Sequence, residues 1–255
     1  MDKGFKTKVI TALVLCGCIV LGLIYLIVMS IFTKDSEKIQ PTVAPVATAE
    51  VTIAPTIEPT PTPVIYDTTS DDSLYRIVNA DHPIGEDYIP DNLVTLDSSR
   101  ITVSNVYSLR EDAYNDLLDM YDAASSSGLN MRIISGYRSY SEQITLYEYY
   151  AKEYGEEWAE GIDDKPGLSE HQLGLSVDIG VANGNCDLNA CFASSSLYTW
   201  LKENAYQYGY IERYPENKKD ITGVIYSPWH YRYVGKELAK KVYDSGLTLE
   251  ECFSE

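Results

Sequence analysis

Two histidines and one aspartate are the residues in this chain best suited to doing chemistry together. His171 and Asp178 fall within Ser169-Glu170-His171-Gln172-Leu173-Gly174-Leu175-Ser176-Val177-Asp178. His230 falls within Pro228-Trp229-His230-Tyr231-Arg232-Tyr233. Two imidazoles and one carboxylate make a three-ligand set with a fourth tetrahedral position left open, as a catalytic zinc site requires. Taken singly, His171 and His230 serve equally well as hydrogen-bonded structural histidines, because His-x6-Asp is not a tight helical signature. The third histidine, His82, lies in the turn-like Asp81-His82-Pro83 and reads as a surface residue.

The elements that must hold these groups follow from local pattern. Leu175, Val177 and Ile179 alternate with Ser176 and Asp178, which is the period of a half-buried strand. Gly174 lets the backbone turn between that strand and His171. His230 stands beside a second alternating run. Upstream, Ser108 is expected to cap a helix through Ala113, Leu117, Leu118, Tyr121 and Ala124 that stops at Gly128. Met131 to Ile134 reads as a short strand leading into Ser135-Gly136-Tyr137-Arg138. Ser139 and Glu142 form a capping box for a helix carrying Ile144, Tyr147, Tyr150, Ala151 and Tyr154. Ser195 opens another helix, closed by Gly209. Short strands are expected near Tyr210–Arg213, Val224–Tyr226 and Tyr231–Val234, with a final helix from about Lys236 to Tyr243. This spacing predicts an α+β domain over residues 73–255, a mainly antiparallel central sheet flanked by helices.

The rest of the chain carries the domain. Residues 1–8 contain Lys3, Lys6 and Lys8, and the 24 residues 9–32 are charge-free and mostly apolar. As a helix they span about 36 Å, enough to cross a hydrocarbon core of about 30 Å. The expectation is an uncleaved single-pass membrane anchor, with the N-terminus cytoplasmic and the C-terminal domain extracytoplasmic. Residues 33–72 hold Pro41, Pro45, Pro55, Pro59, Pro61 and Pro63 among Thr, Ala and Val, and read as a disordered Pro/Thr-rich stalk. Pro41 to Pro63 reaches roughly 70 Å when extended. The net charge of −18 argues against nucleic acid as a partner. With 22 Tyr against 4 Phe, tyrosine is the main aromatic packing unit. Cys186 and Cys191 bracket a short loop. In an extracytoplasmic domain they read as a disulfide, with two unpaired thiols as the alternative.

At this point a family resemblance enters. Ser169 to Asp178 resembles the S-x-H-x-x-G-x-A-x-D motif of VanY-type D-alanyl-D-alanine carboxypeptidases, with Ser176 in place of Ala. These are zinc peptidases that trim peptidoglycan stem peptides, related to the hedgehog signalling domains. Ser135-Gly136-Tyr137-Arg138-Ser139 is similar to their substrate-side segment, and Pro228-Trp229-His230-Tyr231-Arg232 to their second metal segment. The likeness runs from about Ile77 to Phe253. It implies that His171, Asp178 and His230 bind Zn2+, and that stem peptides are the partner. Arg138 then stabilises a tetrahedral oxyanion or grips a substrate carboxylate, while Tyr137, Ser139 and Gln143 hold the peptide.

One position departs from the family. Its last motif reads E-P-W-H, the glutamate acting as general base, and this chain has Ser227 there. A serine hydroxyl cannot take a proton from a metal-bound water near neutral pH, and losing a general base costs about 10²–10⁴-fold in rate. Three outcomes follow from the resemblance. Glu170, the nearest carboxylate in sequence, substitutes; the metal-bound hydroxide acts alone and slowly; or the domain binds stem peptides without cleaving them. The resemblance thus implies a membrane-anchored zinc carboxypeptidase of D,D- or L,D-specificity, with a non-catalytic zinc-bearing wall-binding or sensory domain as the alternative.

Overall fold

The structure is a computed structural model that describes residues 66–156, 159 and 165–254. The expected N-terminal segment 1–8, the anchor 9–32 and the stalk up to residue 65 lie outside the described residues. Among the described residues no helix is long and apolar enough to cross a membrane.

Strands β1 (Leu93–Thr95) and β2 (Ser108–Arg110) pair antiparallel, with Thr95 opposite Ser108. This pairing overturns the expectation that Ser108 caps a helix. Helix α1 (Glu111–Ser126) begins after Arg110, which stays extended and makes no side-chain cap. Glu111 and Asp112 occupy its first turn, where the helix dipole favours negative charge. Its buried residues Ala113, Leu117, Met120 and Ala124 form one helical stripe.

There follow β3 (Met131–Ser135), α2 (Tyr140–Tyr154), β4 (Ser176–Val181), α3 (Ser196–Asn204) and β5 (Tyr210–Glu212). The short α4 (Lys219–Thr222), β6 (His230–Tyr233), α5 (Lys236–Ser245) and α6 (Leu249–Phe253) complete the chain. The main sheet has the order β3-β4-β6-β5 and every neighbouring pair is antiparallel. The α+β architecture expected from the sequence is thus the one observed. Both Ser139 and Ser195 accept the helix-opening hydrogen bonds expected of them, and Ser139 with Glu142 completes its capping box.

A further expectation fails locally. Residues Val224–Tyr226 form no strand: Gly223 turns the chain with φ +79, and the Thr222 hydroxyl takes the Val224 backbone NH. Helix α6, unforeseen, is opened by a Thr248/Glu251 capping box. The folded unit also starts earlier than Ser73. The Tyr66 ring packs 4.7 Å from Tyr75 and 5.2 Å from Phe253, and Arg76 pairs with Asp71 at 2.8 Å.

Alternation along the strands gives the sheet two unlike faces. Val177 and Ile179 of β4 point with Met131, Ile133, Tyr210, Tyr231 and Tyr233 into the main core, against Leu117 and Met120 of α1. Tyrosine fills this core because its hydroxyls reach partners: Tyr210 donates to the Ala113 carbonyl and Tyr233 to Asp116, each at 2.7 Å. On the opposite face, register places Ser176 beside Arg232 and Asp178 beside His230. The Cys186–Cys191 disulfide forms, and within its loop Asp187 pairs with Arg132 of β3. Cys252 is buried in α6.

Candidate metal centre

His171 sits in a 3₁₀ turn, Glu170–Leu173, that ends at Gly174 in the left-handed region with φ +66. A side chain on Gly174 would also collide with Leu93, its Cβ lying 2.9 Å from Leu93 Cδ2. The His171 ring is oriented from behind: Nδ1 lies 2.8 Å from the Gly136 carbonyl, which leaves Nε2 facing Asp178 Oδ2 at 3.3 Å. A Cβ on Gly136 would lie 2.8 Å from the Ser108 carbonyl, so only glycine lets the chain pass there and present that carbonyl. Asp178 and His230 are cross-strand partners, with His230 Nδ1 3.1 Å from Asp178 Oδ1. The two imidazoles stand 5.0 Å apart and nearly perpendicular.

One ligand atom from each of His171, Asp178 and His230 lies within 4.8 Å of the others, and the three residues are only 4%, 4% and 6% exposed. Two nitrogens and a carboxylate oxygen converging in this way fit a metal ion held by three protein ligands. The electrostatics agree. Burial opposes the Asp178 charge, yet the two imidazoles hold its carboxyl well below the usual range. Burial pushes His171 down, assisted by Arg138 and resisted by Asp178. Burial disfavours protonated His230 as well, but hydrogen bonds to Asp178 and Glu170 prevail and raise it to about 9. A metal taking His230 near neutral pH therefore displaces a proton.

Arg138 directs its guanidinium to Gln143 Oε1 at 2.7 Å and to Ser135 Oγ at 3.2 Å, while its backbone NH donates to the His171 carbonyl at 3.1 Å. Gln143, expected to hold peptide, is buried and orients Arg138. The Ser139 hydroxyl serves the start of α2, meeting the Glu142 carboxylate and backbone NH. Tyr137 is half-buried, and its backbone NH donates to the Ser108 carbonyl at 2.7 Å.

Glu170 cannot be the substitute base. It is fully buried, and Oε1 accepts from Arg213 Nε at 2.8 Å and from Arg232 Nη1 at 2.7 Å. Oε2 faces Ser176 Oγ at 3.4 Å and His230 Nε2 at 3.5 Å, the ring nitrogen turned away from Asp178. Burial disfavours its charge, but the two guanidinium groups hold its carboxyl far below the ordinary range. A useful base has its pKa near the working pH. Ser227 lies at the turn into β6, where its carbonyl accepts from the His230 NH and its hydroxyl donates to Ile225 at 3.0 Å.

Arg213 and Arg232 are the site residues that sequence reasoning missed. Arg213 also pairs with Glu250 of α6, and Arg232 donates to the carbonyls of Leu74 and Arg76 at 3.0 and 2.9 Å. A signal was present for Arg232, which alternates with His230 on β6 and so shares its face.

An antiparallel sheet carrying two buried histidines and an aspartate on one face defines an α+β domain with a candidate metal centre. The family model for VanY, D-alanyl-D-alanine carboxypeptidase, matches residues 106–236. The putative carboxypeptidase YodJ of Bacillus subtilis (strain 168) is 40% identical over 185 residues, spanning 71% of this chain and 67% of that protein. Among solved structures, the LdcB LD-carboxypeptidase superposes with a TM-score of 0.67 at 39% identity, covering 72% of this chain and 87% of that one. A mutant of the vancomycin resistance D,D-pentapeptidase VanY in complex with Zn(II) gives a TM-score of 0.57 at 38% identity, covering 69% and 97%. This chain belongs to the VanY D-alanyl-D-alanine carboxypeptidase family.

Proposed function

We propose that this chain is a zinc carboxypeptidase that removes the C-terminal D-alanine of peptidoglycan stem peptides, slowed by serine at position 227. The observation that carries the reading is the convergence of His171, Asp178 and His230 within 4.8 Å on a buried sheet face. A metal-bound relative of D,D-specificity and another relative of L,D-specificity support the same chemistry. Held by these three residues, a zinc ion would supply Lewis-acid polarisation and lower the pKa of a bound water to about 7. The chain does the rest. Arg138, fixed by Gln143 and Ser135, offers a preorganised guanidinium for a substrate carboxylate or for the developing oxyanion. The Gly136 carbonyl and Asp178 hold His171 in one orientation. Residues 9–32 anchor the chain in a membrane and residues 33–65 tether the domain outside it, a reading supported by the charge-free run after Lys8.

A second reading, a zinc-bearing domain that binds stem peptides without cleaving them, has its own support. Asp178 is engaged by the imidazoles and Glu170 by the arginines, so neither carboxylate stands ready as a base. Release of D-alanine from a lysine- or diaminopimelate-containing pentapeptide by the full-length chain separates the two. The enzyme reading expects slow turnover that a chelator abolishes and zinc restores. Peptide binding without any release by the zinc-loaded chain overturns it in favour of the second.

A further inference from the structure

We infer that Glu170 is a positioning residue: its carboxylate holds the Nε2–H of His230 and so dictates that His230 meets the metal through Nδ1. The inference rests on the metal site proposed above. It starts from an asymmetry between the two imidazoles. Each has one nitrogen facing Asp178 and one facing away. For His171 the rear partner is a backbone carbonyl, that of Gly136. For His230 the rear nitrogen is Nε2, a fully buried atom with no hydrogen bond of ordinary length, and Glu170 Oε2 stands 3.5 Å from it.

A neutral imidazole that binds a metal through one nitrogen carries its proton on the other, and that N–H must be satisfied when buried. Glu170 is built for the task. Arg213 and Arg232 both grip Oε1, which fixes the carboxylate and leaves Oε2 turned toward His230 and the Ser176 hydroxyl. Carboxylate partners behind metal-bound histidines fix the tautomer and raise ligand basicity, and removing one costs about 10–100-fold in metal affinity. The arginines are held in turn from outside the site. Glu250 of α6 takes the far side of Arg213, and the carbonyls of Leu74 and Arg76 take Arg232. The position of one ligand ring is therefore set by a relay that reaches both ends of the folded unit.

The test uses the full-length chain loaded with cadmium-113 and labelled with nitrogen-15. Scalar coupling between the metal and a ring nitrogen identifies the ligand atom without any turnover. Coupling to Nδ1 of His230 and Nε2 of His171 is the expected result. Coupling to Nε2 of His230 overturns the inference while leaving the metal site intact, whereas no cadmium uptake at all overturns the site itself. Glu170→Gln should weaken cadmium and zinc binding about 10–100-fold. Glu250→Gln removes an outer support of Arg213 and leaves the Glu170 carboxylate facing the ring, so it should lower the Tm and weaken metal binding by clearly less than Glu170→Gln does. Equal losses of affinity in the two variants would assign Glu170 a merely structural part. If Glu170→Gln does not fold, the coupling pattern of the unmodified chain still decides.

Discussion

The two faces of the four-stranded sheet are made of opposite materials. One presents Val177, Ile179, Tyr231 and Tyr233 to a continuous apolar core. The other presents Ser176, Asp178, His230 and Arg232, with Glu170 and Arg213 packed on them, all buried as deeply. Apolar burial stabilises at about 25 cal/mol per Å². A buried ionic cluster earns little net stability, because desolvating each charge roughly cancels the attraction. The difference teaches that the first face makes the domain fold and the second is retained for what it positions.

The contrast can be broken or sharpened in several ways. The largest effect belongs to the site face. Ser227→Glu should raise D-alanine release by about 10²–10⁴-fold, measured at saturating zinc, and an unchanged rate would show that the missing base is not what limits this chain. Cutting the ionic cluster on one side comes next. Arg232→Met leaves Glu170 short of a guanidinium and two carbonyls short of a donor, and should cost about 3–5 kcal/mol in denaturant unfolding. Replacing the cluster whole, as Glu170→Met with Arg213→Met and Arg232→Leu, should recover most of that stability while metal affinity stays impaired. On the core face, Ile179→Ala should cost about 2–5 kcal/mol and leave zinc affinity nearly unchanged.

Titration separates the faces too, because only one of them carries charge. Asp178 and Glu170 have folded pKa values below their ordinary ones, so their contribution is present above those values and is lost as pH falls. His171, pushed down, adds to the same acid loss. His230 is raised from 6.5 to about 9, so its contribution is full below 6.5 and disappears as pH climbs through 9. Its size is on the order of 3 kcal/mol. Metal-free chain should therefore lose Tm on both flanks, and zinc, by replacing the His230 proton, should flatten the alkaline one. The smallest effect is expected away from both faces: Ser139→Ala removes the cap of α2 and should cost about 1 kcal/mol, with no change in zinc affinity.

The legible parts of the sequence were those written in short-range pattern. The alternation from Leu175 to Ile179 gave away β4, and Ser139 with Glu142 gave away the start of α2. Thr248 and Glu251 repeat that same spacing before α6, so the start of that helix is written in the sequence in the same way. Ser108 misled because its hydroxyl type suits a cap, while its actual partner, Thr95, is set by tertiary pairing. The metal ligands were found through motif resemblance and residue type, and the antiparallel register of β4 with β6 supplies the physical reason they meet. The grip of Arg213 and Arg232 on Glu170 spans 43 and 62 positions. No local periodicity encodes contacts of that length, so the sequence leaves Glu170 as one candidate for the missing base, whereas its surroundings make it a brace.

The segment from Tyr66 to Arg76 has a practical bearing on any shortened version of this molecule. A fragment begun at Val78 would look sensible by its core, yet it would strip Arg232 of the Leu74 and Arg76 carbonyls. The guanidinium freed by that cut is the one seated against Glu170, so the trimmed protein would differ from its parent at the histidine that matters most, far from where it was cut.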